Sequence, residues 1–345
     1  MALLIGTRDG VFRSPDGALA TTEQVLDAGD TLRVRTLDGV AFAATRSGLY
    51  RSADGLSWTN LDVPHEEVFS VVTSPDGERL YAGTHPAHLY VSTDDGETWR
   101  ELDGFQDLPS RPEWHTPRHR DEAHVRSLGT HPDAPDRVVA GIEVGGVHVS
   151  DDEGETWVER RAGVRASEAS AGSSRVARDR RSREPCERRS REQTKRSDGV
   201  HDDVHHVLVL GADEYVASCG GGLYRTRDAG RSWTRLDGDL DHRYFREAFA
   251  ADGQLYTAAA RGPPGTWQGS RGADAALFES MDGGESFETV PYPGAPEEFV
   301  LAWAAHDGRV FAGTDDGRLL ARESDGWTTL GHVPAAVRSL TALDE

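Results

Sequence analysis

The chain has 345 residues, and its 59 acidic residues outnumber the 38 basic ones, for a net charge of −21. This charge argues against binding to the nucleic-acid backbone, so we expect no nucleic-acid partner. Two cysteines, Cys186 and Cys219, are too few for a disulfide framework. Together with the lack of a signal-peptide pattern, they predict a cytoplasmic location. No run approaches the roughly 18 apolar residues of a membrane helix, so we expect no membrane partner.

The basic residues are almost all arginine, and Lys195 is the one lysine. An acidic surface poor in lysine resembles that of halophilic proteins, in which carboxylates hold water and salt screens their repulsion. We interpret the acidity as a solubility feature and assign it no binding role.

Short β-branched and aromatic runs, separated by Gly, Pro and Asp, predict strands from the start of the chain onward. One clear set of four predicted strands covers residues 68–72, 79–83, 88–92 and 98–102. Four strands in roughly 40 residues are typical of one β-propeller blade. The same spacing recurs along the chain and predicts a propeller.

A turn motif marks each predicted blade, and its seven copies begin near residues 14, 52, 92, 150, 226, 280 and 322. The fullest copies are Ser92-Thr93-Asp94-Asp95-Gly96-Glu97-Thr98-Trp99 and Ser150-Asp151-Asp152-Glu153-Gly154-Glu155-Thr156-Trp157. In such a turn, Ser and Asp accept backbone N–H bonds, Gly supplies a positive φ, and the aromatic residue covers the neighbouring blade. We therefore interpret the Asp residues as structural and not as ligands.

These copies resemble the Asp-box, or BNR, repeat, Ser-x-Asp-x-Gly-x-Thr-Trp, and the resemblance covers nearly the whole chain. It implies the fold of the sialidase-like and photosystem II assembly factor-like propellers. The N-terminal Phe/Tyr-Arg-Ile-Pro motif of sialidases is missing, and no three arginines can be matched to the sialidase set. Related xyloglucan-cleaving enzymes have two propellers in tandem, whereas this chain has room for one.

The two ends of the chain complete each other. Residues 337–343 read as a first strand with no blade after it, and residues 3–7 as a second strand with none before it. Pairing them removes two exposed edges. We therefore predict an all-β fold: a single seven-bladed β-propeller of four-stranded blades over residues 1–345, closed by pairing of the C-terminal with the N-terminal strand.

An Arg-rich segment interrupts the repeats. Residues 160–196 hold 13 basic and 5 acidic residues, with almost no aliphatic side chains from residue 167 onward. This composition predicts a disordered insertion over residues 160–199, between two blades. It is either a basic arm or the product of a local frame shift, and we assign it no function.

The loops opposite the predicted turns are rich in His and Arg, and we expect any site there, around the central channel. The first hypothesis is a metal site, with a divalent metal as the candidate cofactor. Its ligands would be His124, His201 and His205 with a carboxylate such as Asp203. A glycosidase would need two carboxylates, which Asp9, Glu143, Asp203 and Asp241 could supply. Of these, we select Glu143 and Asp203 as the candidate catalytic pair.

The third hypothesis is a ligand- or protein-binding propeller, which the resemblance to assembly factors and sorting-receptor ectodomains also implies. Arginine forms two-point bonds to carboxylate or phosphate, so this face suits an anionic ligand, with carbohydrate as a further candidate. We expect Arg246 and Arg261 to hold an anion, and Trp114 and Tyr244 to contact the ligand. Binding is the function that we favour, with a glycosidase-like or metal-dependent hydrolase as the alternative.

Overall fold

The computed structural model describes residues 1–15, 21–116, 119–160, 200–267 and 272–344. These residues form seven antiparallel sheets of four strands each. Three short 3-10 helices and one α-helix, α1, lie in the connecting loops. Their bounds are Asp103–Gln106 for α1 and Arg111–Glu113, His119–Asp121 and Pro264–Thr266 for the 3-10 helices. In the described part of the chain, no helix is long and apolar enough to cross a membrane.

Six blades follow one another along the chain, each with its four strands in sequence order. Blade 1 is β4(Thr31–Leu37), β5(Val40–Thr45), β6(Gly48–Ser52) and β7(Thr59–Asn60). Blade 2 is β8(Glu67–Thr73), β9(Leu80–His85), β10(Leu89–Ser92) and β11(Arg100–Glu101). Blade 3 is β12(His124–His131), β13(Ala134–Glu143), β14(Gly146–Ser150) and β15(Val158–Glu159).

The second half of the ring repeats the pattern. Blade 4 is β16(Val204–Val209), β17(Tyr215–Cys219), β18(Gly222–Thr226) and β19(Thr234–Arg235). Blade 5 is β20(Tyr244–Ala251), β21(Gln254–Ala260), β22(Ala276–Ser280) and β23(Glu288–Val290). Blade 6 is β24(Val300–His306), β25(Arg309–Thr314), β26(Arg318–Glu323) and β27(Gly326–His332).

The closing blade joins the two ends of the chain, and the predicted closure is confirmed. Its strands are β28(Val337–Leu343), β1(Ala2–Thr7), β2(Gly10–Ser14) and β3(Glu23–Leu26). The register pairs Leu3 with Ala342 and Ile5 with Leu340. The first strands of the seven blades contact one another around a complete ring, so they line a central channel.

The predicted turn chemistry appears between the third and fourth strands of the blades. In blade 2, the Ser92 hydroxyl donates to Asp94 and accepts the Gly96 N–H at 2.9 Å, while Asp94 accepts the Thr98 N–H at 2.9 Å. Trp99 donates its indole N–H to the carbonyl of Leu61 in blade 1, 2.7 Å away. This turn therefore stabilises blade 2 and fastens it to blade 1.

The core consists of apolar layers between neighbouring blades, built from strand residues with almost no exposure. One sequence prediction cannot be compared with the structure: of the predicted insertion, residues 161–199 lie outside the described residues. They fall between β15 of blade 3 and β16 of blade 4.

Candidate functional site

First strands begin, and second strands end, at the same end of the channel, which we call the mouth. Arg126 and Arg246 lie near the starts of β12 and β20, and Glu143 is the last residue of β13. Asp203 directly precedes β16 and forms a β-bridge with Glu143. The ring thus brings together residues from three blades that are far apart in the sequence.

Arginine side chains crowd the mouth. We call Arg126, Arg246 and Arg338 the arginine cluster; all three line one narrow cavity of about 30 Å³ in the channel. Burial and the charge of Arg246 lower the pKa of Arg126 to about 10. Burial, together with Arg246 and Arg8, also lowers the pKa of Arg338. Arg246 therefore repels both other members of the cluster.

Two members of the cluster have carboxylate partners. Arg126 Nη1 lies 2.8 Å from Glu143 Oε2, and Arg338 Nη2 lies 3.4 Å from Asp30 Oδ1. Arg246 differs: its one hydrogen-bond contact is the Tyr244 hydroxyl, at 3.5 Å. Within the five described ranges, no carboxylate lies within ion-pair distance of Arg246. Arg246 is therefore a cation of the mouth without an ion pair among the described residues.

Arg246 stays charged despite its position deep in the ring. Burial lowers its pKa, but Tyr244 and the carboxylates of Glu143 and Asp203 more than offset this, and the pKa lies above its ordinary value. A planar guanidinium with unused donors is suited to two-point binding of carboxylate or phosphate.

A cleft of about 590 Å³ opens above the cluster. Arg246 and Arg338 reach its floor, and Tyr244 and Trp267 supply aromatic walls whose ring planes stand nearly perpendicular, at 86°. Arg8, Asp9 and Asp315 add charged groups to its lining. The size falls within the range of small-molecule sites, and the lining combines apolar walls with a few polar groups, as such sites do.

A second group lies beside the cluster. Glu143, Asp203 and His205 each offer one possible ligand atom, and these three atoms lie within 4.8 Å of one another. His205 Nε2 is 3.4 Å from Asp203 Oδ1, and its Nδ1 is 2.5 Å from the carbonyl oxygen of Phe245. Burial raises the pKa of Asp203, but the hydrogen bond and charge of His205 outweigh this, so the pKa lies below its usual value.

Only part of the predicted metal set meets at this point. His205 and Asp203 belong to the group, and His124 lies next to it, with Nε2 3.0 Å from Glu143 Oε2. The ring of His124 also packs against Phe69 of blade 2, at 4.1 Å between ring centroids. His201 is exposed and accepts the backbone N–H of Asp203 through Nδ1, at 3.2 Å.

Of the four predicted ligand-binding residues, two line the cleft and two do not. Tyr244 and Arg246 line the cleft, whereas Arg261 lies outside its lining and pairs with Asp274 at 2.6 Å and Asp241 at 3.6 Å. Trp114 is fully buried in the core cluster around Phe105. Its ring is covered there by other side chains, so it is a packing residue.

Arg126, Arg338 and Trp267 were not selected from the sequence. Arg126 and Arg338 lie inside first strands, whereas only the loops were searched for site residues. The sequence does contain a pattern that could have identified them. Four first strands carry an arginine among their first three residues, namely Arg33, Arg126, Arg246 and Arg338. Trp267 lies at the end of the predicted loop that follows Arg261.

The fold and the mouth define a seven-bladed propeller with a polar channel mouth. The DUF6242 beta propeller domain model matches residues 11–261, and the chain belongs to this family. The oligoxyloglucan-reducing end-specific xyloglucanase of Emericella nidulans is 25% identical over 170 residues, which cover 44% of this chain and 19% of that enzyme.

Solved propellers share the fold at low identity. The GH74 enzyme of Niastella koreensis is 14% identical, with a TM-score of 0.58 over 87% of this chain and 45% of that one. The GH74 xyloglucanase of Xanthomonas campestris is 17% identical, with a TM-score of 0.57, and the match covers 95% of this chain and 46% of that enzyme. YCF48 from Cyanidioschyzon merolae is 14% identical, with a TM-score of 0.53, and the match covers 89% of this chain and 87% of that protein. This chain thus spans less than half of the GH74 enzymes.

Proposed function

We propose that this chain is an Asp-box propeller that binds a small organic anion at the channel mouth, with Arg246 as the anchor. The observation that carries the proposal is the charged Arg246 guanidinium, which has no carboxylate within ion-pair distance in the described part of the chain. Other cations of the mouth crowd it, and a bound carboxylate or phosphate would relieve their repulsion.

The repeated turn supports the Asp-box assignment. In five blades, a Ser or Thr hydroxyl at the end of the third strand donates to an Asp two residues later, in the pairs Ser52–Asp54, Ser92–Asp94, Ser150–Asp152, Thr226–Asp228 and Ser280–Asp282. This side-chain pattern is what the repeat consensus requires.

The walls of the cleft suggest the kind of anion. Trp267 offers an apolar surface next to the arginines, whereas Tyr244 is only 4% exposed and adds little to it. A sugar ring carrying a carboxylate or phosphate would use both features, and the xyloglucanase relatives make carbohydrates the first class to test. We therefore propose an acidic monosaccharide or a sugar phosphate as the ligand class.

The test compares ligands that differ in one group. We would titrate the full chain by calorimetry with glucuronate, glucose 6-phosphate and, as the neutral match, glucose. At least one anion should bind at one equivalent and glucose at least tenfold more weakly. Arg246→Gln should weaken anion binding at least tenfold because a charged hydrogen bond contributes about 1.5–3 kcal/mol. Arg261→Gln is the control and should leave affinity unchanged, since Arg261 is already paired at the rim.

Stability separates a binding role of Arg246 from a structural one. Because Arg246 makes no ion pair in the described ranges and is favoured only by the more distant charges of Glu143 and Asp203, Arg246→Gln should lose little stability and still unfold in one cooperative transition. Equal binding of glucose and glucuronate, or full affinity in the Arg246→Gln protein, would overturn the proposal.

Hydrolysis is the alternative outcome. One oxygen of Glu143 and one of Asp203 lie within 4.8 Å of each other, which is compatible with the carboxyl separation of about 5–5.5 Å in a retaining glycosidase. However, Arg126 and His124 contact Glu143 Oε2. These contacts favour binding without turnover. Release of reducing sugar from xyloglucan oligosaccharides by the wild type, abolished in Glu143→Gln, would instead favour the hydrolase.

A further inference from the structure

We infer that Glu143, Asp203 and His205 form a binding site for one divalent transition-metal ion, such as Zn²⁺ or Mn²⁺. Each residue offers one ligand atom, and the three atoms lie within 4.8 Å of one another. His205 and Glu143 are almost fully buried, and Asp203 is mostly buried. The group is therefore an enclosed donor set and not an exposed patch of acidic side chains.

His205 Nε2 faces the two carboxylates, where it donates a hydrogen bond when the ring is protonated and presents a lone pair when the ring is neutral. Nδ1 lies 2.5 Å from the Phe245 carbonyl oxygen, which can only accept a hydrogen bond, so Nδ1 carries a proton. A neutral ring then has its lone pair on Nε2, the atom that lies 3.4 Å from Asp203 Oδ1. A backbone carbonyl that fixes a histidine in this way is a recurrent feature of metal-binding histidines.

The group can hold a cation at its centre. With the His205 ring neutral, Nε2 and the two carboxylates are all acceptors, and among the described residues the Arg126 guanidinium pairs only with Glu143 Oε2. Either a second proton on His205 or a metal ion can fill this role. A mixed set of one imidazole and two carboxylates suits Zn²⁺ or Mn²⁺, whereas Ca²⁺ and Mg²⁺ prefer oxygen ligands alone.

The surroundings hold the three donors in place. Arg126 and His124 contact Glu143 Oε2 at 2.8 and 3.0 Å, and the Tyr244 ring packs edge-on against His205 at 4.7 Å between centroids. These contacts fix the orientation of the ligands before binding, while the charge of Arg126 beside Glu143 opposes a bound cation. The inference is separate from anion binding, since it uses none of the donors of Arg246.

The experiment uses the full chain without a histidine tag, treated with EDTA and dialysed into a chloride buffer free of phosphate and organic anions. Calorimetric titration with ZnCl₂ and, separately, MnCl₂ should give one equivalent for at least one metal. Asp203→Asn and His205→Gln should weaken binding at least tenfold. His201→Gln is the matched control, because His201 is exposed and touches Asp203 only through its backbone N–H. Arg246→Gln should bind the metal at least as tightly as the wild type, because it removes a positive charge near Glu143 and Asp203, and this separates the test from that of anion binding.

X-ray absorption of the wild type loaded with one Zn²⁺ gives a result that does not depend on whether the variants fold. We expect one imidazole and otherwise oxygen ligands. The inference is overturned if the wild type binds neither metal, if both variants that remove ligands bind as the wild type does, or if the spectrum requires two or more imidazoles.

Discussion

Arg33 and Glu247 are 214 residues apart in the sequence and form an ion pair across the central channel. Arg33 Nη1 donates to both Glu247 carboxylate oxygens, each at 3.0 Å, and so joins β4 of blade 1 to β20 of blade 5. Both side chains are buried, at 14% and 10% exposure. The channel is therefore crossed by a polar contact between distant blades, and we expect its charges to matter for stability.

Breaking this pair should be costly. Glu247→Gln leaves the Arg33 guanidinium buried without its carboxylate, and removal of one member of a buried pair typically costs about 3–5 kcal/mol. Chemical denaturation at fixed salt concentration measures the loss in free energy of unfolding. Glu155→Gln is the control: the Arg100–Glu155 pair is as short, at 2.6 Å, but over half exposed, and such pairs contribute about 1 kcal/mol or less. Equal losses in the two variants would contradict the prediction.

His206 should make stability depend on pH. Its Nε2 lies 3.7 Å from Glu247, but burial, with help from Arg33, lowers the pKa of His206 to about 3, so the folded protein keeps the ring neutral. The unfolded chain takes up a proton near pH 6.5. Between those values the unfolded state binds more protons, so the free energy of unfolding falls as pH falls.

The measurement is the slope of that free energy between pH 7 and pH 5. His206→Gln should flatten the slope relative to the wild type, whatever its effect at pH 7. An unchanged slope in the His206→Gln protein would mean that the folded state protonates this ring as readily as the unfolded chain does.

Most of the fold could be predicted because local chemistry determines it. The Ser92–Asp94 turn and the complementary strands at the two termini are visible as residue patterns. The loops of Glu143 and Asp203 could be assigned to one end of the channel from strand order alone. The distance of a side chain from the channel axis could not be predicted, because it depends on the twist of each blade. Trp114 therefore lies in the core and Arg261 at the rim, while Arg126 was hidden inside a strand.

The hydroxyl that recurs in the turns should contribute measurably to the free energy of unfolding. Ser92 Oγ is buried and accepts the Gly96 N–H, so Ser92→Ala leaves that N–H unsatisfied, at a cost of about 1–3 kcal/mol. Ser92→Thr should retain most of the stability, because Thr226 makes the equivalent bond to the Gly230 N–H at 2.8 Å in blade 4. Denaturation of both variants measures the difference; equal losses would assign the effect to packing and not to the hydroxyl.

Ring closure depends on a close approach between the last two blades. Gly313 of β25 faces Val337 of β28, and a Cβ on Gly313 would lie 2.3 Å from Val337 Cγ1. Val337 is fully buried and cannot move away freely. Gly313→Ala should therefore destabilise the protein by about 1–3 kcal/mol through overpacking.

Two controls identify the cause. Gly238→Ala introduces the same methyl group at a position with no atom within 4 Å and should be nearly neutral. Val337→Ala alone removes buried methyl groups and should also destabilise, but combined with Gly313→Ala it provides the space that the new Cβ needs. The loss in the double variant should thus be smaller than the sum of the single losses, as expected for residues in contact. Strict additivity in denaturation experiments would show that the glycine is required for another reason than its contact with the C-terminal strand.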